Sequence, residues 1–345
     1  MPPIRMATMS DRSDLILRIE DLSVTFPTRL GDVHVVDGVD LGLAPGRTLG
    51  VVGESGCGKS MTARAILGIT PDPGRVSGGR VIFGQGERAT DLTALPVDGA
   101  AIRALRGDRI AMIFQEPMTS FSPVHTIGSQ ITEAIRLHRD VSAADAWTRA
   151  GDLLDRVGIP DPHTRLSSYP FQLSGGMRQR AMIAMALSCD PDVLIADEPT
   201  TALDVTTQAQ ILRLLAQIQV DTGMAILLIT HDFGVIAQAC HDVAVMYLGR
   251  VVETAAVARI LSDPLHPYTR GLRSSIPLLG RARSAGLQPI PGAVPGPGIQ
   301  ITGCPFHPRC DMALAGQCDT RMPDMIEGRP DHNVRCLLHA EPMPE

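Results

Sequence analysis

Eight residues near the start of the chain, Gly-Glu-Ser-Gly-Cys-Gly-Lys-Ser at positions 53–60, restrict the possible folds more than any other segment. They match the phosphate-binding pattern G-x-x-x-x-G-K-S, and they stand between a short apolar run at 47–52 and a segment of helical periodicity at 59–67. The backbone N–H groups of such a loop converge on nucleotide phosphates, Lys59 reaches the β- and γ-phosphates, and the Ser60 hydroxyl ligates Mg²⁺. Cys57 is expected to contribute only its backbone. The predicted nucleotide-binding residues are Gly53, Glu54, Ser55, Gly56, Cys57, Gly58, Lys59, Ser60 and Met61.

A second chemical feature is an apolar strand that ends in two acids, Val-Leu-Ile-Ala-Asp-Glu at 193–198. In a mostly parallel sheet, such acids would stand at the carboxyl edge, beside the phosphate loop. Asp197 is predicted to hold Mg²⁺, directly or through water, and Glu198 to polarise the water that attacks the γ-phosphate. The two motifs together predict nucleotide hydrolysis.

The spacing of apolar residues predicts an α/β chain. Alternation at 15–26 and 33–43 indicates an N-terminal antiparallel sheet, and the stretch 126–186 is mostly helical. Beyond it, short apolar strands alternate with helices, which predicts a buried, mostly parallel sheet. These alternating segments are 193–196, 206–219, 225–230, 233–239 and 243–248.

Charge and composition exclude several classes of function. The net charge is −6 and aromatic residues make up 3%, so neither a positive field nor a set of rings favours nucleic acid as a partner. The first residues lack the apolar core of a signal peptide, and no stretch approaches the roughly 18–20 apolar residues that cross a bilayer. Seven cysteines cannot all pair, which favours a reducing compartment. We expect a cytosolic protein, or one docked on a membrane through other subunits.

The segment 173–180, Leu-Ser-Gly-Gly-Met-Arg-Gln-Arg, resembles the signature of ATP-binding cassette (ABC) proteins. Three further motifs match that family: Gln115 in Phe-Gln-Glu-Pro, Asp204 in Thr-Ala-Leu-Asp, and His231 after the strand 225–230. The resemblance implies that the signature contacts the γ-phosphate of ATP held by an opposite subunit, and therefore a dimer. The signature residues are Leu173, Ser174, Gly175, Gly176 and Met177.

The resemblance also implies roles for single residues. Gln115 links Mg²⁺ to transmembrane subunits, Asp204 communicates between the two ATP sites, and His231 contacts the γ-phosphate. Phe26 ends the first strand pattern and is expected to stack on adenine, with a core phenylalanine as the alternative. The implied fold is an α/β, ABC-type P-loop NTPase with a RecA-like, mostly parallel sheet core. An N-terminal antiparallel β subdomain, a helical subdomain and a small irregular metal-bearing C-terminal tail complete it.

A finer resemblance points to the dipeptide and oligopeptide importer ATPases, a group that also contains nickel and glutathione importers. It rests on the segments 114–123, 175–186, 266–269 and 304–310, and it covers about residue 15 to the end. It implies an ATPase at the cytoplasmic face of the bacterial inner membrane, in a heterodimer with a second related ATPase. Two membrane permeases and an extracytoplasmic peptide-binding protein complete the implied assembly. The alternatives are an importer ATPase for nickel or glutathione, and a soluble, non-transport ABC ATPase whose tail senses redox state or metal.

Three parts of the chain are predicted. They are a flexible N-terminus at 1–14, an ABC ATPase domain at 15–262 with its helical subdomain at about 120–186, and a C-terminal extension at 263–345. The extension is rich in Pro and Gly from about Asp263. We therefore expect no regular helix or central strand in its Pro-rich part, which would be an extended connector to a small tail.

Four of the seven cysteines lie in this tail with the spacing C-x5-C-x7-C-x17-C. We predict that they ligate one metal centre together, because a Pro-rich tail with few apolar residues needs a staple. Zinc sites usually take ligands in C-x2-4-C pairs, whereas wide gaps suit a 4Fe-4S cluster, and the resemblance points to the cluster. The alternatives are Zn²⁺, with His307, His332 or His339 replacing a cysteine, and four unrelated buried cysteines. The cysteines are Cys304, Cys310, Cys318 and Cys336.

Overall fold

A computed structural model describes residues 14–29, 31–115, 120–201, 203–274, 290–296, 299 and 301–340. The described residues form two compact units. The first unit consists of the described residues within Met1–Gly42, Thr48–Thr93 and Thr230–Glu345, and the second of those within Leu43–Arg47 and Ala94–Ile229. In the part of the chain that is described, no helix is both long and apolar enough to cross a membrane.

Strands and helices follow one another along most of the described chain. The strands are β1 (Leu17–Thr28), β2 (Gly31–Leu43), β3 (Thr48–Val52), β4 (Arg75–Phe83), β5 (Thr90–Asp91), β6 (Ile110–Ile113), β7 (Val193–Asp197), β8 (Ala225–Thr230), β9 (Asp242–Tyr247), β10 (Arg250–Ala256), β11 (Ile326–Arg329) and β12 (His332–Val334). The helices are α1 (Lys59–Ile66), α2 (Ala100–Leu105), α3 (Ile127–His138), α4 (Ala143–Arg156), α5 (Pro162–Arg165), α6 (Gly175–Ala186), α7 (Val205–Thr222), α8 (Phe233–Ala239), α9 (Val257–Ser262) and α10 (Pro267–Ser274).

An antiparallel sheet opens the chain, in the order β2-β1-β4-β5. The pair β1 and β4 is antiparallel, with Leu17 opposite Phe83 and Ile19 opposite Val81. These four side chains are buried, because alternate residues of a strand point to the same face. The predicted N-terminal antiparallel sheet is therefore confirmed.

The first unit also contains the strands that carry the phosphate loop, in the order β11-β12-β10-β9-β3. Strands β3 and β9 are parallel, and β10 runs antiparallel to both β9 and β12. All residues of β3 and β9 are buried. Strands covered on both faces read as continuous apolar runs, which is why β3 is recognisable in the sequence.

The second unit combines a parallel three-strand segment with the predicted helical block. Strand β7 lies between β6 and β8 and is parallel to both. Helix α3 packs against α4 and α6, and its buried side chains Ile127, Ile131 and Ile135 recur every four residues. Parallel strands joined through helices confirm the predicted mostly parallel α/β core.

The C-terminal extension is more regular than its composition predicts. The expectation that its Pro-rich part forms no regular helix is wrong for α10, because Pro267 stands at the first helical position, where its missing N–H costs nothing. The tail is also not wholly irregular. Strands β11 and β12 form a hairpin, and His332 and Val334 of β12 pair with Ala255 and Glu253 of β10.

The apolar residues of the tail join the core of the first unit. The Phe306 ring centroid lies 5.2 Å from that of Tyr247 and 5.4 Å from that of Tyr268. Cys304 and Cys318 belong to the same buried cluster. The tail is thus stabilised by packing against β9 and α10. The domain boundary at 262/263 stays a prediction.

Candidate active site

The phosphate loop leaves β3 and enters α1, as the sequence predicts. Two of its glycines, Gly53 and Gly58, are required because neighbouring backbone leaves no room for a side chain, and Gly58 also has a positive φ. A Cβ at Gly53 would clash with the carbonyl oxygen of Met246, and Gly58 has a φ of 100° and stands against the carbonyl of Val35. Only glycine is compatible with both restrictions. The loop backbone therefore lies close to its neighbours and keeps its shape.

Lys59 is buried at the start of α1, with an exposure of 5%. Its Nζ donates to the carbonyl oxygens of Gly53, at 2.8 Å, and of Glu54, at 3.0 Å. Ser60 and Met61 follow in the first helical turn and are half-buried. The loop thus holds its cation within its own turn, where a nucleotide phosphate is expected.

Cys57 does more than the sequence suggests. Its side chain is buried, and Lys59 Nζ lies 3.7 Å from its Sγ. Burial raises the pKa of the Cys57 thiol, which keeps it neutral beside the ammonium group. Its carbonyl accepts a hydrogen bond from Gly249 at 2.9 Å. Cys57 therefore packs beside Lys59 and also accepts a backbone hydrogen bond that holds the loop.

Two residues of the C-terminal extension, Tyr268 and Arg309, contact Glu54 of the phosphate loop. The Glu54 N–H donates to the Tyr268 hydroxyl at 2.8 Å, and Arg309 forms a two-point ion pair with its carboxylate. The hydrogen bond to Glu54 raises the pKa of Arg309, so this guanidinium stays charged. Sequence reasoning missed both contacts, because no local pattern relates residues so far apart in the chain.

The paired acids end β7. Asp197 is 2% exposed at the last strand position, and a buried carboxylate is an oxygen ligand of the kind that Mg²⁺ prefers. Glu198 follows with a φ of 48°, and its N–H donates to the Ile229 carbonyl at 2.9 Å. This left-handed turn directs the chain out of the strand at the predicted catalytic acid.

Within the second unit, Gln115 and Thr201 hold the Glu198 carboxylate. Gln115 Nε2 donates to Glu198 Oε2 at 3.1 Å, and Thr201 Oγ1 donates to the same oxygen at 2.8 Å. Two predicted site residues, Gln115 and Glu198, are therefore brought together. Thr201 is an additional residue that the sequence did not indicate, although it lies three positions after the acid.

The signature segment opens helix α6. Ser174 is its N-cap, and the Ser174 hydroxyl oxygen accepts the Met177 N–H at 3.3 Å. Ser174 and Gly175 are exposed, whereas Leu173 is buried and anchors the segment. The exposed helix start therefore presents a hydroxyl and backbone N–H groups at the surface of the second unit.

Three further predicted residues occupy defined places. Asp204 caps α7 by accepting the N–H groups of Thr206 and Thr207, both at 3.0 Å, and the hydrogen bonds from Thr207 lower the pKa of Asp204. His231 is exposed directly after β8. Phe26 is half-buried near the end of β1, and its ring packs on Gly74. The capping role of Asp204 was not anticipated.

The four tail cysteines line one cavity, together with side chains that include His266, Phe306 and His307. All four are free thiols. Burial raises the pKa of Cys304 and Cys310, and raises that of Cys336 to about 11. Within the described ranges, no three His, Cys, Asp or Glu side chains have an arrangement that could hold a single metal ion.

Two of the three histidines considered as zinc ligands, His332 and His339, have hydrogen-bond partners away from the cysteines. His332 Nε2 is 2.6 Å from Glu253 Oε1, and His339 Nε2 is 3.2 Å from the Leu265 carbonyl oxygen. His307 lines the cysteine cavity, with Nδ1 2.9 Å from the Cys304 carbonyl oxygen.

Comparisons with known proteins agree with these features. Residues 36–201 match the ABC transporter family, and residues 252–318 match the oligopeptide/dipeptide transporter C-terminal region. A probable peptide ABC transporter ATP-binding protein of Sinorhizobium fredii is 48% identical over 96% of this chain and 97% of its own length. The dipeptide transport ATP-binding protein DppD of Bacillus subtilis is 46% identical over 94% and 95%. A bacterial ABC transporter cassette, solved as a dimer, superposes with a TM-score of 0.62 at 24% identity over 70% of this chain and 98% of its own length.

Proposed function

This chain belongs to the family of ABC transporter ATP-binding proteins, and we propose that it is the ATP-hydrolysing subunit of a peptide importer. The observation that carries this function is the phosphate loop between β3 and α1, with Lys59 buried at the start of α1. The chain is also similar over nearly its whole length to a probable peptide ABC transporter ATP-binding protein. ATP hydrolysis would supply the free energy for uptake of di- and oligopeptides.

In the proposed function, different residues carry out different steps of ATP binding and hydrolysis. Lys59 binds the β- and γ-phosphates, His231 contacts the γ-phosphate and Phe26 stacks on adenine. Glu198 accepts a proton from the water that attacks the γ-phosphorus, while the bond from phosphorus to the bridging oxygen breaks and ADP leaves. Gln115 and Thr201 fix the acceptor carboxylate at 3.1 and 2.8 Å, so that its orientation is set before water binds.

Mg²⁺ would neutralise part of the phosphate charge when bound. Its proposed ligands are Ser60, Asp197 and Gln115, all of them oxygen donors of the kind that this cation prefers. The burial of Asp197 supports this role, because a buried carboxylate is stabilised by a cation.

The exposed signature segment supports a head-to-tail dimer in which Ser174 acts on ATP held by the opposite subunit. The partner in this proposal is a second, related ABC ATPase, and Asp204, at the start of α7, communicates between the two sites. Because Ser174 caps its own helix, its hydroxyl and the first N–H groups of α6 are already oriented toward an anion.

Ser174→Arg tests this arrangement. The change is expected to lower hydrolysis at the partner's site at least about tenfold, since it removes oriented donors and inserts a bulky side chain. ATP affinity at the chain's own loop should stay within about twofold. Single-turnover hydrolysis in dimers with one inactivated site measures both quantities, and Ser167→Arg, at an exposed serine in the preceding turn, is the matched control. Weak nucleotide binding by the Ser174→Arg subunit alone would contradict the dimer proposal.

The proposed assembly places this subunit at the cytoplasmic face of the bacterial inner membrane, beneath two permeases that receive peptides from an extracytoplasmic binding protein. A surface groove on α3, lined by Ser129, Thr132, Glu133, Arg136 and Leu137, supports the proposal that a short permease helix docks on the helical block. A tagged chain expressed with its neighbouring genes should co-purify with a second ATPase and two polytopic membrane proteins. Full activity as a lone homodimer would instead support the soluble ATPase alternative.

The four cysteines of the tail are proposed to hold a 4Fe-4S cluster. Support comes from their common cavity, which brings four thiols that are widely spaced in the sequence to one place. Such a cluster would act as a structural staple between the segment 304–318 and Cys336.

Metal analysis after anaerobic purification tests the cluster. The full chain is expected to carry about four irons and about four sulfides, and Cys310→Ser should lower the iron content. Cys240→Ser is the matched control, because Cys240 lies in the same unit but outside the cavity lining. One zinc per chain without sulfide would contradict the proposal.

A further inference from the structure

Arg309 connects the cysteine-bearing segment to the phosphate loop. Its Nη1 donates to Glu54 Oε2 at 2.7 Å and its Nη2 donates to Glu54 Oε1 at 3.0 Å, which is a parallel two-point ion pair. The Arg309 side chain is 5% exposed and that of Glu54 is 25% exposed. A pair of this geometry, largely withdrawn from water, is stronger and more specific than an exposed ion pair.

The Arg309 side chain is held in place by its own surroundings. Its Nε donates to the Pro291 carbonyl at 2.9 Å, Nη1 also reaches the Tyr247 hydroxyl at 3.4 Å, and Nη2 reaches the Gly292 carbonyl at 3.4 Å. The guanidinium carbon lies 5.8 Å from the centre of the Tyr247 ring. These contacts restrict the guanidinium independently of its ion pair with Glu54. It is therefore a preorganised positive charge for the Glu54 carboxylate.

Glu54 places a carboxylate at the second position of a loop that receives a polyanion. A carboxylate a few ångströms from a triphosphate raises the free energy of the bound state by Coulomb repulsion, unless a positive group neutralises it. Lys59 donates a hydrogen bond to the backbone carbonyl of Glu54, whereas Arg309 forms the ion pair with the Glu54 carboxylate. The backbone N–H of Glu54 donates a hydrogen bond to the Tyr268 hydroxyl, which also restrains this residue.

We propose that Arg309 is a positioning residue of the nucleotide site: it neutralises and fixes the Glu54 carboxylate, and thereby makes the phosphate loop competent to bind a nucleoside triphosphate. The inference rests on the proposed ATP-binding function. It gives the C-terminal segment a direct effect on nucleotide affinity, separate from any metal that the cysteines hold.

Equilibrium binding of a fluorescent ATP analogue to the full-length chain tests the proposal. Arg309→Gln, which removes the charge and keeps part of the packing, is expected to raise the Kd at least about tenfold, because Glu54 is left uncompensated. Arg309→Lys keeps the charge but loses the two-point geometry, so its Kd should lie between those of wild type and Arg309→Gln. The decisive variant is the double change Arg309→Gln with Glu54→Gln, which should restore the Kd to within about threefold of wild type.

A merely structural role of Arg309 would not be rescued in this way, since the double variant still lacks the arginine that anchors the tail. Arg329→Ala is the matched control: it removes an arginine of the same tail whose ion pair with Asp263 is about half exposed, and the Kd should not change. A double variant as weak as Arg309→Gln, or a folded Arg309→Gln chain with wild-type Kd, would overturn the inference. Failure of the wild-type chain to bind the analogue would instead refute the proposed function itself.

Discussion

Glu198→Gln is expected to lower ATP turnover at least about a hundredfold while ATP binding and the closed dimer persist. The amide has nearly the size of the carboxylate, and its oxygen can still accept hydrogen bonds from Gln115 and Thr201. It cannot accept a proton from the attacking water. The loss should therefore fall on kcat and leave the nucleotide Kd nearly unchanged.

Phosphate release by the purified complex measures this loss. The two ATPase subunits must be mutated separately, because an intact partner site would sustain residual turnover in a heterodimer. Glu87→Gln, at an exposed glutamate of the first unit, is the control and should leave turnover unchanged. Lys59→Ala should fail earlier, at nucleotide binding. Near-normal turnover in a Glu198→Gln complex whose partner site has also been inactivated would remove Glu198 from the proton-accepting role.

Glu253→Ala is expected to lower the free energy of unfolding of the first unit by about 3–5 kcal/mol. Glu253 is fully buried in β10 and accepts hydrogen bonds from the N–H groups of Leu265 at 2.6 Å and His266 at 3.0 Å, and from His332 at 2.6 Å. Removal of the carboxylate leaves these buried donors without an acceptor, and each unsatisfied donor costs free energy. Urea unfolding or amide hydrogen exchange in β10 measures the effect.

An exposed ion pair in the same region provides the comparison. Asp263 pairs with Arg329, and both side chains are about half exposed, so Asp263→Asn should cost less than about 1 kcal/mol. A loss for Glu253→Ala as small as that for Asp263→Asn would show that Glu253 does not hold β10, β12 and the start of α10 together.

The same carboxylate gives the first unit an acid-sensitive stability. Burial alone would raise the pKa of Glu253, but hydrogen bonds from His332 and from the backbone of Leu265 and His266 outweigh it and lower this pKa. The contribution is therefore complete above the unfolded-state pKa of about 4.3 and is lost as pH falls through the lower folded-state pKa. His266 lowers the stability at a higher pH than Glu253 does. Burial lowers the pKa of His266 to about 4, so below pH ~6.5 the unfolded chain binds a proton that the folded chain does not, and stability falls.

The chemistry-bearing segments of the fold are predictable because each is encoded locally. The phosphate loop needs glycines at positions 53 and 58, and strand β7 is a fully buried run that ends at Asp197. The periodicity of apolar residues and the positions of Gly and Pro in the sequence indicate such features directly. The N-terminal sheet and helices α3, α4 and α6 follow from the same kind of pattern.

The remaining features depend on tertiary contacts. Arg309 and Glu54 are 255 residues apart, and no periodicity relates them. Helix α10 is not apparent from the sequence because proline usually ends a helix, whereas Pro267 is tolerated at the first helical position. Strands β11 and β12 are short and polar, and they form because β10 offers an unpaired edge to pair with.

ATP-dependent peptide uptake by the reconstituted complex tests the central claim most directly. This chain, its partner ATPase and the two permeases would be placed in proteoliposomes with ATP on the ATPase side and with the peptide-binding protein and labelled di- to pentapeptides on the other. We predict accumulation of peptide on the ATPase side with wild-type protein, and background levels with Glu198→Gln in this chain combined with replacement of the corresponding acid in its proposed partner. ATP hydrolysis without peptide accumulation, or accumulation of nickel or glutathione in its place, would contradict the account.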